Sequence, residues 1–360
     1  MPIVHIPLAH GRGGASLCPR DSNPIRGGTL TPKGLMRKHL LAIALIITGA
    51  PGCDNVGWGG IDVDVQPPAE PRAPVAVEAE PEQVTTPERV LGPVLLAGTR
   101  NGERGDFVVV GEVQADALRP FPDPAFPEDA ERLGVLAAPG SEWIVFSEGV
   151  RVGRLTVERS GPAQGYCSSR TAMSGVLEMV PSAAGAERLL ALPASHAAAR
   201  PREPYREIAH VYDQRVASLT IAGEAIPRYG ARWPTLGVLD ARDHIQAFQL
   251  RNAPGQSVAA TFVVNDELAV SPPSAGSYAL FVMAQEGGTG YTESYSWYRD
   301  SESEGKGIPR YFDHLDWNND GTDEILLDVL GADQQWFAGL SFRQGEWLRT
   351  FQDECGAPPG

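Results

Sequence analysis

Trp143-Ile144-Val145-Phe146-Ser147-Glu148-Gly149-Val150-Arg151-Val152-Gly153-Arg154-Leu155-Thr156-Val157 reads as an apolar run, a turn at Glu148-Gly149 and a strand of alternating character. Working outward, Val94-Leu95-Leu96-Ala97, Phe107-Val108-Val109-Val110 and Gly175-Val176-Leu177-Glu178-Met179-Val180 have the same texture, with turn residues between them. Residues 93–195 therefore read as a β-rich domain. An Ala/Pro/Arg connector follows at 194–204. Ile208, Val211, Tyr212, Val216 and Leu219 then recur at three- and four-residue spacing, which predicts a packed helix over 205–222. Short strands resume at 259–264, 278–284, 292–297, 325–329, 336–342 and 347–351, with the spacing of an antiparallel meander. The expected fold class is mainly β (α+β), a sandwich or meander-like antiparallel body with one packed helix. Residues 200–360 form its second, α+β domain. No internal repeat suggests a propeller or solenoid.

Composition agrees with a packed, turn-rich chain: 360 residues, 42% hydrophobic, 21% charged, with 40 Gly and 31 Pro. Of its 30 basic and 45 acidic side chains, residues 1–52 hold six and one. The rest carries 24 and 44, a net charge of −20. Such a surface repels phosphate backbones, and no basic stripe interrupts it, so nucleic acid is excluded as an expected partner.

Met36-Arg37-Lys38-His39 is basic, Leu40 to Ile47 is an aliphatic run, and Thr48-Gly49-Ala50-Pro51-Gly52 is small and turn-forming before Cys53. This is the order of a secretory signal, and the run is too short to span a bilayer. The Gly52-Cys53 junction resembles the lipobox of bacterial lipoproteins, with Ala50 and Pro51 departing from the usual pattern. The resemblance implies lipidation of Cys53, which then becomes the mature N-terminus on the cell-envelope membrane. Residues 36–52 are accordingly expected to be a signal peptide and residues 1–35 an extension upstream of the true start. Residues 53–92, rich in Pro and Glu, read as a disordered tether. In that oxidising compartment Cys167 and Cys355 form the natural disulfide pair, with two separate buried thiols as the alternative.

One motif carries chemistry. Asp316-Trp317-Asn318-Asn319-Asp320-Gly321-Thr322-Asp323-Glu324 places oxygen-bearing side chains at positions 1, 3 and 5, with a glycine for the sharp turn at 6. Hard oxygens so arranged suit calcium better than magnesium, which demands a stricter octahedron. Position 12 is Leu327, so an EF-hand is excluded. The pattern resembles the calcium loops of FG-GAP and VCBS-type β-proteins. That resemblance covers about twenty residues. It implies Asp316, Asn318, Asp320, Thr322 through its carbonyl, and Glu324 as ligands of a structural Ca2+, with Asp323 pointing away. A hairpin turn without metal is the alternative, since it favours the same residue types.

Other patterns carry less. Tyr291, Tyr295 and Trp297 have the even spacing of one strand face and could be core or a sugar platform. Gly287-Gly288-Thr289-Gly290 suits a loop between strands. His196, His210, His244 and His314 stand singly, and His314 could sense the calcium loop. There is no G-x-S-x-G elbow, Walker A loop or G-x-G-x-x-G fingerprint. No catalytic residue is assigned. The sequence points to a lipid-anchored envelope protein in the periplasm or on the cell surface, a non-catalytic module for binding or interaction with an envelope protein or glycan. The alternative is an envelope hydrolase acting on glycan or ester substrates, which a deep pocket with converging acids would favour.

Overall fold

The computed structural model describes residues 89–115 and 117–353. The signal segment, Cys53, nearly all of the expected tether, and Cys355 lie outside the described residues. The first seven strands are β1 (Val94–Asn101), β2 (Arg104–Gln114), β3 (Ala117–Arg119), β4 (Glu142–Ser147), β5 (Val150–Pro162), β6 (Thr171–Met179) and β7 (Arg188–Pro193). They pair antiparallel in the order β1-β7-β4-β5-β6-β2-β3, and β1 also pairs with β2. Six strands thus close on themselves into a barrel, which removes the free edges an open sheet would expose. The run 143–146 shows why both of its faces are apolar. Trp143 and Val145 point into the barrel core, while Ile144 and Phe146 point outward to a second core. A bulge where Phe146 pairs with Arg151 shifts the alternation of β5, so Val152 and Leu155 both reach the interior. Gly153 is required there, because an added Cβ would stand 2.3 Å from the Glu178 carbonyl oxygen. Helix α1 (Glu128–Leu136), with acidic residues in its first turn, packs Leu133 and Leu136 on the barrel core. A short helix, α2 (Ala194–Ala197), follows β7.

The second half begins with α3 (Tyr212–Arg228) and the meander β8 (Arg242–Phe248), β9 (Ser257–Val264), β10 (Tyr278–Gly287) and β11 (Gly290–Asp300). The glycine-rich stretch 287–290 is the tight turn joining β10 to β11. A second meander follows: β12 (Ile308–Leu315), β13 (Glu324–Leu330), β14 (Gln335–Arg343) and β15 (Glu346–Gln352). The body is mainly β with antiparallel sheets and little helix.

The layers stack as helix, sheet, sheet and barrel. Ile221, Ala222, Ala225 and Ile226 of α3 pack on Val258, Phe262 and Leu280. The other face of that sheet, through Phe248, Phe281 and Trp297, meets Tyr311, Ile325, Leu327 and Trp336. The far face of the second meander, through Leu315, Leu326 and Phe337, meets the barrel's outer Leu95, Ile144, Phe146 and Leu190. Every residue of β13 is buried. A strand covered on both faces has no solvent side to alternate with, so Ile325-Leu326-Leu327 and Val329-Leu330 run apolar, interrupted by Asp328, which pairs with Arg310. A buried Arg170–Asp353 ion pair ties the end of β15 to the barrel. Arg170 also donates to the Val110 carbonyl at 2.8 Å, and Asp353 accepts the Phe337 N–H at 3.0 Å.

Two expectations are corrected. The helix lies at Tyr212–Arg228, shifted toward the C-terminus from 205–222. The backbone through 205–211 is non-helical, Tyr205 is buried with the barrel core, and Val211, Tyr212 and Val216 are exposed. The buried stripe is instead Gln214, Ser218, Ile221, Ala222, Ala225 and Ile226. Its two polar members hid it from an apolar-periodicity count. The helix starts where the Gln214 side chain accepts the Val211 N–H at 2.8 Å. The aromatic stripe is also split. A bulge between Tyr295 and Glu293 puts Tyr291 against the α3 side and Tyr295 and Trp297 against β12–β15. They are packed core groups on opposite faces.

Leu326 sits fully buried between β13 and the barrel. Leu326→Ala is expected to cost about 2–5 kcal/mol in urea denaturation, against less than about 0.5 kcal/mol for the half-exposed Leu348→Ala. Equal losses for the two would contradict this packing.

Candidate functional site

Two sites flank β12. The first is the connection from β12 to β13, residues 316–323. Trp317, 1% exposed, anchors it in the core. The Asp316 carboxylate accepts the N–H groups of Asp320 and Gly321, each at 3.0 Å. Asn318 Oδ1 accepts the Asp320 N–H at 3.0 Å, and Asp320 Oδ1 accepts that of Thr322 at 2.8 Å. Asn319 and Gly321 take positive φ, 62° and 93°, which lets the chain curl this tightly. Glu324 is buried and accepts the Trp317 N–H at 3.2 Å. Burial, then the charges of Asp320, Asp316 and Asp323, push its carboxyl up to about 9. Arg200 donates to the Asp316 and Trp317 carbonyls, and Asn252 to the Gly321 carbonyl at 2.7 Å. The side-chain oxygens of Asp316, Asn318 and Asp320 are thus gathered at one turn. Among the described residues no three His, Cys, Asp or Glu side chains converge in metal-binding geometry. The loop carboxylates are hydrogen-bonded to backbone N–H groups instead. Asp323 turns the other way, and its Oδ2 accepts the Arg251 N–H at 2.5 Å.

The second site lies at the junction of the barrel with the two meanders. A bulge at Phe312, between Tyr311 and Asp313, brings two residues three apart in β12 to the same side. Tyr311 Oη stands 2.6 Å from His314 Nδ1, and Phe248 stacks on Tyr311 with ring centres 4.6 Å apart. Asp313 turns to the barrel, where its Oδ1 accepts the Glu148 N–H at 3.0 Å and the His314 N–H at 2.8 Å. Glu148 occupies the β4–β5 turn with φ 50°, ahead of Gly149 with φ 71°. Its Oε2 is 4.0 Å from His314 Nδ1. Glu148 and Glu207 line two adjoining cavities. The larger, about 590 Å3, includes His314, Asp323, Gln249 and Arg251. The smaller, about 400 Å3, includes Asp313, Tyr205, Arg188 and His244.

His314 is held by the Tyr311 hydroxyl and the Gln249 backbone, while three buried acid oxygens here have no hydrogen-bond partner: Glu148 Oε2, Asp313 Oδ2 and Asp323 Oδ1. Such groups are uncommon in folded proteins and mark places where something other than stability shaped the site. Burial, then the charge of Glu207, pushes the Glu148 carboxyl up to about 8. Burial, then Glu148, holds Asp313 well above the usual carboxylate range, and burial lowers His314. Burial beside Arg188 and Arg310 pushes His244 down to about 3, so that ring is neutral.

Sequence reasoning marked His314 only as a neighbour of the calcium loop and missed this cluster. Its members lie 165 residues apart in the chain. No protein-family model, curated protein or solved structure matches the chain.

A carboxyl raised from about 4.5 to about 8 keeps its proton in the folded state after the unfolded chain has released it. Its contribution to stability therefore falls as pH rises from about 4.5 to about 8 and then levels off. Glu148→Gln removes that loss. The variant is expected to match the parent near pH 4.5 and to exceed it by on the order of 3 kcal/mol at pH 8. Urea midpoints that track the parent's across this range would contradict the assignment.

Proposed function

We propose that the chain is an exported bacterial lipoprotein, anchored through Cys53 and tethered by residues 53–92, whose β body is an envelope binding module. The observation that carries the binding role is the cavity of about 590 Å3 with unpartnered polar atoms in its wall. That size suits a small ligand. The basic, apolar and small-residue order at 36–53 supports export and anchoring. A disulfide from Cys167 to Cys355 would tie the end of the chain to the half-buried residue that follows Tyr166, beside β14.

Calcium at 316–324 is the structural ion of this reading. The donor set consists of oxygens, as calcium prefers, and a divalent charge would offset the burial and the neighbouring acids that raise Glu324. Asp316, Asn318, Asp320, the Thr322 carbonyl and Glu324 would hold it. An ion in that loop would fix the start of β13 and the end of β12, which bears Asp313 and His314 of the second site.

A second reading, an envelope hydrolase acting on glycan or ester substrates, draws on Glu148. A buried carboxyl still protonated at neutral pH, with Glu207 and Asp323 on the same cavity wall, is a suitable general acid.

Calcium at ten times its dissociation constant is expected to add about 1.4 kcal/mol, a rise of a few degrees in Tm. EDTA and Asp320→Ala should each abolish the rise, and a melt indifferent to calcium would end the proposal. In the native host, an alkynyl fatty acid should label the parent chain but not Cys53→Ser. Equal labelling of both would exclude the anchor.

A further inference from the structure

We propose that the larger cavity is a binding site for a small organic cation bearing a primary ammonium, such as a linear diamine. The proposal rests on the binding-module reading and names the class of ligand. Two unpartnered buried atoms on this cavity's wall are carboxyl oxygens, Glu148 Oε2 and Asp323 Oδ1. Neither oxygen has a donor, so the complementary ligand brings N–H groups, and its positive charge would draw off the proton that Glu148 otherwise keeps at neutral pH.

Their placement narrows the ligand further. A Cβ added at Gly149 would stand 3.0 Å from His314 Nε2 and 3.7 Å from Asp323 Oδ1. His314 and Asp323, no more than 3% exposed, therefore pack closely against the Gly149 backbone, with Asp323 Oδ1 unpartnered on this wall. Glu148 Oε2, also unpartnered, approaches the same imidazole from the barrel side. An ammonium in this cavity has the Glu148 and Asp323 carboxyl groups on its wall to donate to, while His314 is held by Tyr311. Toward solvent the wall carries the exposed carboxylates of Glu203 and Glu207, which suit a second positive charge.

Two cations already border the cavity. Arg251 stands 3.8 Å from both Asp323 Oδ1 and Glu203 Oε1, too far to hydrogen-bond either. Arg206 is exposed on the wall. A bare metal ion fits less well, because the acids are spread along the wall rather than gathered at coordination distance. An ammonium on a chain of methylenes, with donors at both ends, spans such a wall.

Isosteric amides test this without removing structural bonds. In Asp323→Asn the remaining carbonyl oxygen can keep the Arg251 N–H, leaving the new NH2 to face the cavity as a donor. Glu148→Gln acts likewise on the barrel side. Titration calorimetry of the mature chain with putrescine and spermidine is expected to show saturable binding, and 1,4-butanediol, neutral and of equal length, none. Each variant should weaken putrescine at least tenfold while retaining the parent's circular dichroism. Asp323→Asn should also keep its calcium-dependent rise in Tm, which separates failure at this site from failure of the loop. Equal binding of diamine and diol, unchanged affinity in both variants, or zinc binding that the diamine does not displace would each overturn the proposal. Turnover of chromogenic glycosides or esters lost in Glu148→Gln, with no diamine binding, would overturn it in favour of the hydrolase.

Discussion

The central sheet, β12–β15, is covered on both faces over β12, β13 and most of β14, and its edge strand β15 meets water. One side is packed by the β8–β11 meander and the other by the outer wall of the barrel. The rest of the body depends on this double burial. A closed barrel exposes its outer residues unless something covers them, and here Leu95, Ile144, Phe146 and Leu190 are covered by Leu315, Leu326 and Phe337. The helix layer then seals the last apolar face, through Ile221, Ala225 and Ile226. At about 25 cal/mol per Å2 of apolar surface removed from water, such contacts dominate the favourable side of folding.

Both candidate sites lie where this packing is interrupted. At the end of β12 the chain leaves the sheet for the 316–323 turn, and backbone N–H groups that lose ladder partners there are taken by the Asp316 and Asp320 side chains. One bulge earlier, at Phe312, Tyr311 and His314 are turned together and Asp313 is turned to the barrel. Acids that would sit comfortably in water are held there without full hydrogen bonding. Structures tolerate such groups mainly where a ligand or a reaction uses them. The stability expected from Glu148→Gln and the binding it should remove are two sides of one arrangement.

What could be read from the sequence follows from how far each signal reaches. Six of the eight meander strands were legible because β-rich apolar runs broken by turns are local features, β13 most of all, whereas β8 and β12 were missed because Arg242, Asp243 and His244 in one and Arg310, Asp313 and His314 in the other interrupt the apolar pattern. The helix was found but misplaced, because its buried face includes Gln214 and Ser218, while the apolar Val211, Tyr212 and Val216 lie exposed. The aromatic stripe failed at a bulge, since one inserted residue reverses the face of everything beyond it. The 316–324 turn was legible as a compact motif. The Glu148–Asp313–His314–Asp323 cluster was not, because it is assembled from a hairpin turn, a bulged strand and a loop that meet only in the folded chain. Glu148-Gly149 followed by a strand, and Asp313-His314 before the acidic loop, were the only local traces of it.

Native-state hydrogen exchange tests the double burial most directly. Amides of β12 and β13 are predicted to exchange only through global unfolding, with the same free energy as the slowest amides of the barrel and of β9 and β10. Exchange of β12 and β13 at a lower free energy, while barrel amides stay protected, would contradict the account. The barrel and the meanders would then be separable bodies, and the cavity at their junction would not be a fixed site.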